Sequence, residues 1–140
     1  MLFRSEGIGY PGVSLTALAN GASPERTVLS EYHGMGSTTG AYMIRMGKYK
    51  LVHYVKYPPQ LFDLEQDPEE IHDLSARHDM ESTLQACRRK LFAMLDPVEV
   101  DERAKSRQSV LLDANGGRQA VVARGDLGFT PVPGMSASFQ

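Results

Sequence analysis

The run Ser30–Leu74, SEYHGMGSTTGAYMIRMGKYKLVHYVKYPPQLFDLEQDPEEIHDL, decides the fold. Two β-favouring segments, Ala41–Met46 and Tyr49–Val55, flank the pair Gly47-Lys48, and a third, Gln60–Leu64, follows Pro58-Pro59. A two-residue connection containing glycine between such segments predicts a hairpin. Period-two alternation sets Tyr49, Leu51, His53 and Val55 on one face, and Lys48, Lys50, Val52, Tyr54 and Lys56 on the other. The first face is apolar and the second is basic and wet, so the sheet needs a cover on one side only.

Working outward, Thr27–Tyr32 reads as a further strand, reached through a turn at Ala22–Arg26. Val13–Ala19 reads as a short helix with Gly21 beyond its end. Downstream, Asp67-Pro68 has the chemistry of a helix start, with Asp67 as N-cap, Pro68 in the first helical position and Glu69 and Glu70 in the first turn. Within Asp79–Leu95, the residues Met80, Leu84, Cys87, Leu91, Met94 and Leu95 recur at helical spacing as one stripe, the natural cover for the apolar sheet face. Pro97 ends that element. A weaker helix is expected from Glu99 to Ala114, with an Asp101–Lys105 pair at i,i+4 and Asn115-Gly116-Gly117 as its stop; Arg118–Ala123 adds a further turn. Gly125–Gln140 has no periodicity. Strands first and helices after predict an α+β fold: a small antiparallel sheet of about four strands covered by a helix, then a second helix and an extended tail.

Composition narrows the functional classes. The 140 residues suit one domain, and 41% hydrophobic content with 13 Gly and 8 Pro predicts a modest core with much loop. A net charge of −2 predicts no attraction to nucleic acid or to an anionic membrane surface. No apolar run approaches the roughly 20 residues that span a bilayer. Met1-Leu2-Phe3-Arg4 does not open a signal peptide, which favours a cytoplasmic setting while leaving the compartment open. The single cysteine, Cys87, excludes an internal disulfide and falls on the apolar stripe of its helix, the position of a buried, inert thiol. His53, mid-strand on the apolar face, reads as a core histidine, and His72 and His78 have no supporting ligands for a metal site. Tyr54 and Tyr57 beside Lys56 read as a half-buried strand end rather than a base-stacking platform.

The order Tyr42-Met43-Ile44-Arg45-x-Gly47-x-Tyr49-Lys50, then Leu61-Phe62-Asp63-Leu64-x-x-Asp67-Pro68-x-Glu70, resembles the C-terminal subdomain of sulfatases in the alkaline-phosphatase superfamily. The likeness covers about Gly12 to Leu95. Glu31-Tyr32-His33-Gly34-Met35-Gly36-Ser37 is similar to the choline-sulfatase and phosphonate-monoester-hydrolase branch, as are Val100-Asp101-x-Arg103-Ala104-Lys105 and Gly116-Gly117-Arg118-x-Ala120-Val121.

The resemblance implies a division of the chain into three: 1–21 as the end of an upstream α/β domain, 22–97 as the C-terminal α+β subdomain, and 98–140 as a helical extension and tail, either an oligomerisation arm with Phe129, Pro131, Val132 and Pro133 as its contact residues or a frayed end. It implies a parent reaction, metal-dependent hydrolysis of a sulfuric ester or phosphonate monoester, with a divalent cation (Ca, Mn or Mg) and a formylglycine made from a Cys-x-Pro-x-Arg motif. Cys87 precedes Arg88-Arg89-Lys90, so that motif is absent, and no cluster of carboxylates offers an oxygen-ligand site. No catalytic residue, no metal ligand and no cofactor is therefore assigned to this chain. His33 and Ser37, in a loop with three glycines, are the candidate substrate-proximal residues: on the resemblance they face the cleft of the catalytic domain. The alternative is a glycine-rich strand connection with a hydrogen-bonded histidine. The implied partners are a sulfatase-like catalytic domain and further copies of the chain, with no nucleic acid and no membrane. A stand-alone interaction or oligomerisation module is the competing expectation.

Overall fold

The computed structural model describes residues 14–21, 27–34 and 37–124. Its centre is a four-stranded antiparallel sheet in sequential order, β1 (Thr27–Tyr32), β2 (Ala41–Met46), β3 (Tyr49–Tyr54) and β4 (Gln60–Asp63). Gly47 takes φ +56° at the first position of the β2–β3 connection, as a type II′ hairpin turn requires. The register aligns Leu29, Ile44, Leu51 and Leu61 as one row across all four strands. Helix α2 (Glu81–Met94), entered through a 3₁₀ turn at His78–Met80, lies on this row against β2 and β3. Its Leu84, Cys87 and Leu91 join Tyr42, Ile44, Leu51 and Leu61 in the core. Burying each large side chain stabilises the fold by roughly 1.5–3 kcal/mol over leaving it in water. The expected α+β architecture is the one observed.

Short helix α1 (Leu15–Ala19) is capped by Ser14 and followed by Gly21 at φ +88°. Helices α3 (Pro97–Ala114) and α4 (Gly117–Arg124) follow α2, separated by Asn115 and Gly116. The Ala22–Arg26 turn and the Gly125–Gln140 tail lie outside the described residues.

The second sheet face is held by ion pairs rather than by a helix. Lys50 Nζ contacts both oxygens of Glu70 at 2.6 and 2.8 Å, and Lys48 Nζ lies 2.7 Å from Asp63 Oδ2. Here the expected helix from Asp67 is not formed: residues 64–77 are a chain of turns. Asp67 Oδ2 instead accepts from the backbone N–H of His72 at 2.7 Å, and Asp73 Oδ1 accepts from the N–H groups of Leu61 and Ser75 at 3.0 and 2.8 Å. These bonds, with Leu74 N–H donating to the Leu61 carbonyl at 2.8 Å, tie the segment beside β4. Glu70 sits at φ +57°, a left-handed conformation that interrupts any helix. The other Asp-Pro pair is the one that starts a helix: Asp96 Oδ1 accepts from Val98 and Glu99 N–H at 2.9 and 3.3 Å, and Pro97 occupies the first turn of α3.

Two further expectations on the helices are corrected. Met94 is exposed although it continues the stripe of α2, whereas Leu91 and Leu95 on either side of it face the core. α3 begins at Pro97 rather than Glu99, and its buried positions are Pro97 and Asp101.

Candidate functional site

The loop from His33 to Gly40 leaves β1 and returns to β2, and α3 passes beside it. Gln108 Nε2 donates to the His33 carbonyl at 2.8 Å. At the other end of the loop, Asp101 Oδ1 accepts from Gly40 N–H at 2.7 Å while its Oδ2 accepts from Lys105 Nζ at 2.6 Å. Asp101 is only 4% exposed. Burial pushes its carboxyl up, but the Lys105 ammonium, the Gly40 N–H and the nearby His33 together outweigh it and hold the group below the usual carboxylate range.

Tyr42 is fully buried and packs against His33 from the core side. Its hydroxyl donates to the Pro97 carbonyl at 2.8 Å, and its phenol is pushed up to about 12, first by burial and then by the charge of Asp101. It therefore stays a hydrogen-bond donor at any physiological pH. The His33 ring stands edge-on to Tyr42, with centroids 5.5 Å apart and an interplanar angle of 77°. Gly40 permits this approach: a Cβ there would lie 2.8 Å from the Tyr42 hydroxyl and 3.0 Å from His33 Cε1. His33 Nε2 also lies 3.4 Å from Glu31 Oε2.

Both sequence-selected residues line one open groove of about 810 Å³ between the loop, α3 and α4. The His33 side chain is 22% exposed, and Ser37 is exposed with its hydroxyl donating to the Thr39 carbonyl. Residues of α3 and α4 complete the groove, among them Gln108, Leu111, Arg118 and Val122. Sequence reading gave Asp101 only its i,i+4 pair with Lys105, counted Gly40 among the three glycines of the loop, and gave Gln108 and Tyr42 no role here. The only local signal was an acidic residue within the inward stripe Pro97, Val100, Asp101, Ala104.

The chemistry expected of a sulfatase parent was tested against the residues present. Cys87 is buried within α2, and burial pushes its thiol up, away from the reactive thiolate. Among the described residues no group of three or more His, Cys, Asp or Glu is placed to hold a metal ion. The described residues thus fit neither formylglycine nor a divalent cation. His53 occupies the expected core position, 9% exposed beneath Phe92 and Arg88 of α2, but against the expectation of a satisfied histidine its buried Nδ1 has no hydrogen-bond partner. Tyr54 donates to Gln60 Oε1 at 2.9 Å, and the Tyr57 hydroxyl lies 3.3 Å from Thr38 Oγ1.

A four-stranded antiparallel sheet roofed by one helix, with the β1–β2 connection pinned from a second, defines an α+β subdomain. The chain belongs to the N-sulphoglucosamine sulphohydrolase C-terminal family, whose model matches residues 10–96. It is 44% identical over 64 residues to choline-sulfatase of Rhizobium meliloti, covering 46% of this chain and 12% of that protein. It is 35% identical over 72 residues to arylsulfatase K of Mus musculus, covering 44% of this chain and 13% of the relative. A sulfatase-family protein of Bacteroides thetaiotaomicron superposes with a TM-score of 0.51 and 27% identity over 67% of this chain and 20% of its own. The chain thus spans about an eighth of the length of the curated relatives it matches.

Proposed function

We propose that this chain serves as the C-terminal portion of a sulfatase-like hydrolase and shapes substrate access there without breaking bonds itself. The observation that carries the reading is the placement of His33 and Ser37 on one groove, within a chain whose residues 10–96 match a sulfatase C-terminal family. The parent reaction would be metal-dependent hydrolysis of a sulfuric ester or phosphonate monoester, and the match to choline-sulfatase and arylsulfatase K supports the sulfuric ester. The parent's catalytic domain would supply the cation and the formylglycine. His33 Nε2 and the Ser37 hydroxyl, exchanging their contacts with Glu31 and the Thr39 carbonyl, would donate to the anionic end of a substrate at the cleft mouth.

The purified chain should not hydrolyse p-nitrophenyl sulfate above a mock preparation with Mg²⁺, Ca²⁺ or Mn²⁺ present. Joined to a catalytic domain encoded in the adjoining upstream frame, it should support turnover, and His33→Ala should raise KM more than it lowers kcat. Turnover by the chain alone, or an H33A enzyme with unchanged KM, overturns the proposal. Contact with a second subunit belongs to the same reading, since α3 leaves Val98 and Val110 uncovered at 47% and 64% exposure. Light scattering of the isolated chain at micromolar concentration should give more than the monomer mass; a monomer throughout counts against it.

A further inference from the structure

We infer that the groove between α3, α4 and the residues His33, Gly34 and Ser37 binds a small amphipathic anion: an oxyanion head on an apolar body. The volume of about 810 Å³ falls within the range of small-molecule sites. Its apolar wall is Leu111 and Leu112 of α3 with Val121 and Val122 of α4. Leu111 and Val122 are 56% and 62% exposed, so a bound hydrocarbon would remove apolar surface from water.

Charge decides the head group. Arg118 and Arg124 supply the positive charge of the groove, and no carboxylate lines it among the described residues. The neighbouring carboxylates are already engaged: Glu31 lies against His33, and Asp101 is held by Gly40 and Lys105. Guanidinium groups match the planar, two-oxygen geometry of an oxyanion, which adds direction to the attraction. Arg124 is placed by a 3.3 Å contact from Nη2 to Asn115 Oδ1, and Arg118 opens α4. The ligand would occupy the groove that the proposed function gives to substrate access, so the inference rests on that reading, and direct binding and turnover report on the two separately.

The test titrates the full chain with three eight-carbon probes below their micelle concentrations: octanesulfonate, octyl glucoside and octyltrimethylammonium. Calorimetry reads affinity, and methyl NMR reads position. Octanesulfonate should bind at least tenfold tighter than the glucoside, with the ammonium probe weakest, and should shift the methyls of Leu111, Leu112, Val121 and Val122. Arg118→Ala and Arg124→Ala should each weaken the sulfonate about tenfold and leave the glucoside unchanged. Should R118A lose helicity by circular dichroism, Arg118→Gln keeps the side-chain length and carries the same expectation. Equal affinity for the three heads, shifts centred elsewhere, or arginine variants that bind the sulfonate normally would each overturn the inference. So would a glutamate-rich peptide that binds where octanesulfonate does not, which points to a macromolecular partner instead.

Discussion

Removing the Asp101 carboxylate tests how the groove is held together. In Asp101→Ala the buried Gly40 N–H loses its 2.7 Å acceptor, and Lys105 loses its partner. A hydrogen bond to a charged group contributes about 1.5–3 kcal/mol when its loss strands a buried donor. The Lys105 pair is partly in water, so it adds only about 0.3–0.5 kcal/mol. The expected loss is about 2–3 kcal/mol, which lowers the urea midpoint by about 1.3–2 M at a slope of about 1.5 kcal/mol/M. Asp101→Asn keeps an oxygen facing Gly40 and should lose about half as much. Hydrogen exchange supplies the local reading: protection of the Gly40 amide should collapse in D101A before that of β3. Acid dependence follows from the depressed carboxyl. Its contribution is complete above the unfolded value near 3.8 and disappears as pH falls through the lower folded value, so D101A should lack that part of the acid transition. A midpoint shift below about 0.3 M, or an unchanged Gly40 amide, would refute the reasoning.

Two further outcomes are expected. Glu70→Gly should be more stable than Glu70→Ala by about 1 kcal/mol, because both lose the Lys50 pair but only alanine keeps the cost of φ +57°; equal urea midpoints would show that the backbone there is unstrained. His53 is held below its ordinary value, first by burial and then by Arg88, so the unfolded state takes the proton first. Stability should therefore be full above about pH 6.5 and decline as pH falls below it, and His53→Leu should flatten the difference between urea midpoints at pH 7.5 and 5.5.

Much of the fold was legible because its signals are local. The alternation around Leu51 and His53 placed the right residues under a helix, and the stripe of Leu84, Cys87 and Leu91 identified which helix. Asp-Pro chemistry was legible in kind but not in place. Both pairs offer an acceptor and a fixed φ, yet after Asp67 the backbone groups are claimed by β4, while eighteen residues after Asp96 are free to coil. The candidate site was half legible. His33 and Ser37 stood out through their glycine-rich loop, whereas Asp101 and Gln108 did not. Their partners lie 61 and 75 residues away, and no periodicity encodes a bond across such a distance.

Asp101 and Gln108 sit on one rigid rod, two helical turns apart, and grip opposite ends of the same loop. The family match ends at residue 96, one position before that rod begins. An expression fragment trimmed to the match would keep every strand and the roof, and would still release the loop: the Pro97 carbonyl, the Asp101 carboxylate and the Gln108 amide would all be gone. Where the gene is cut thus matters more than sequence likeness suggests, because the splint for the conserved-looking half is stored in the half that looks expendable.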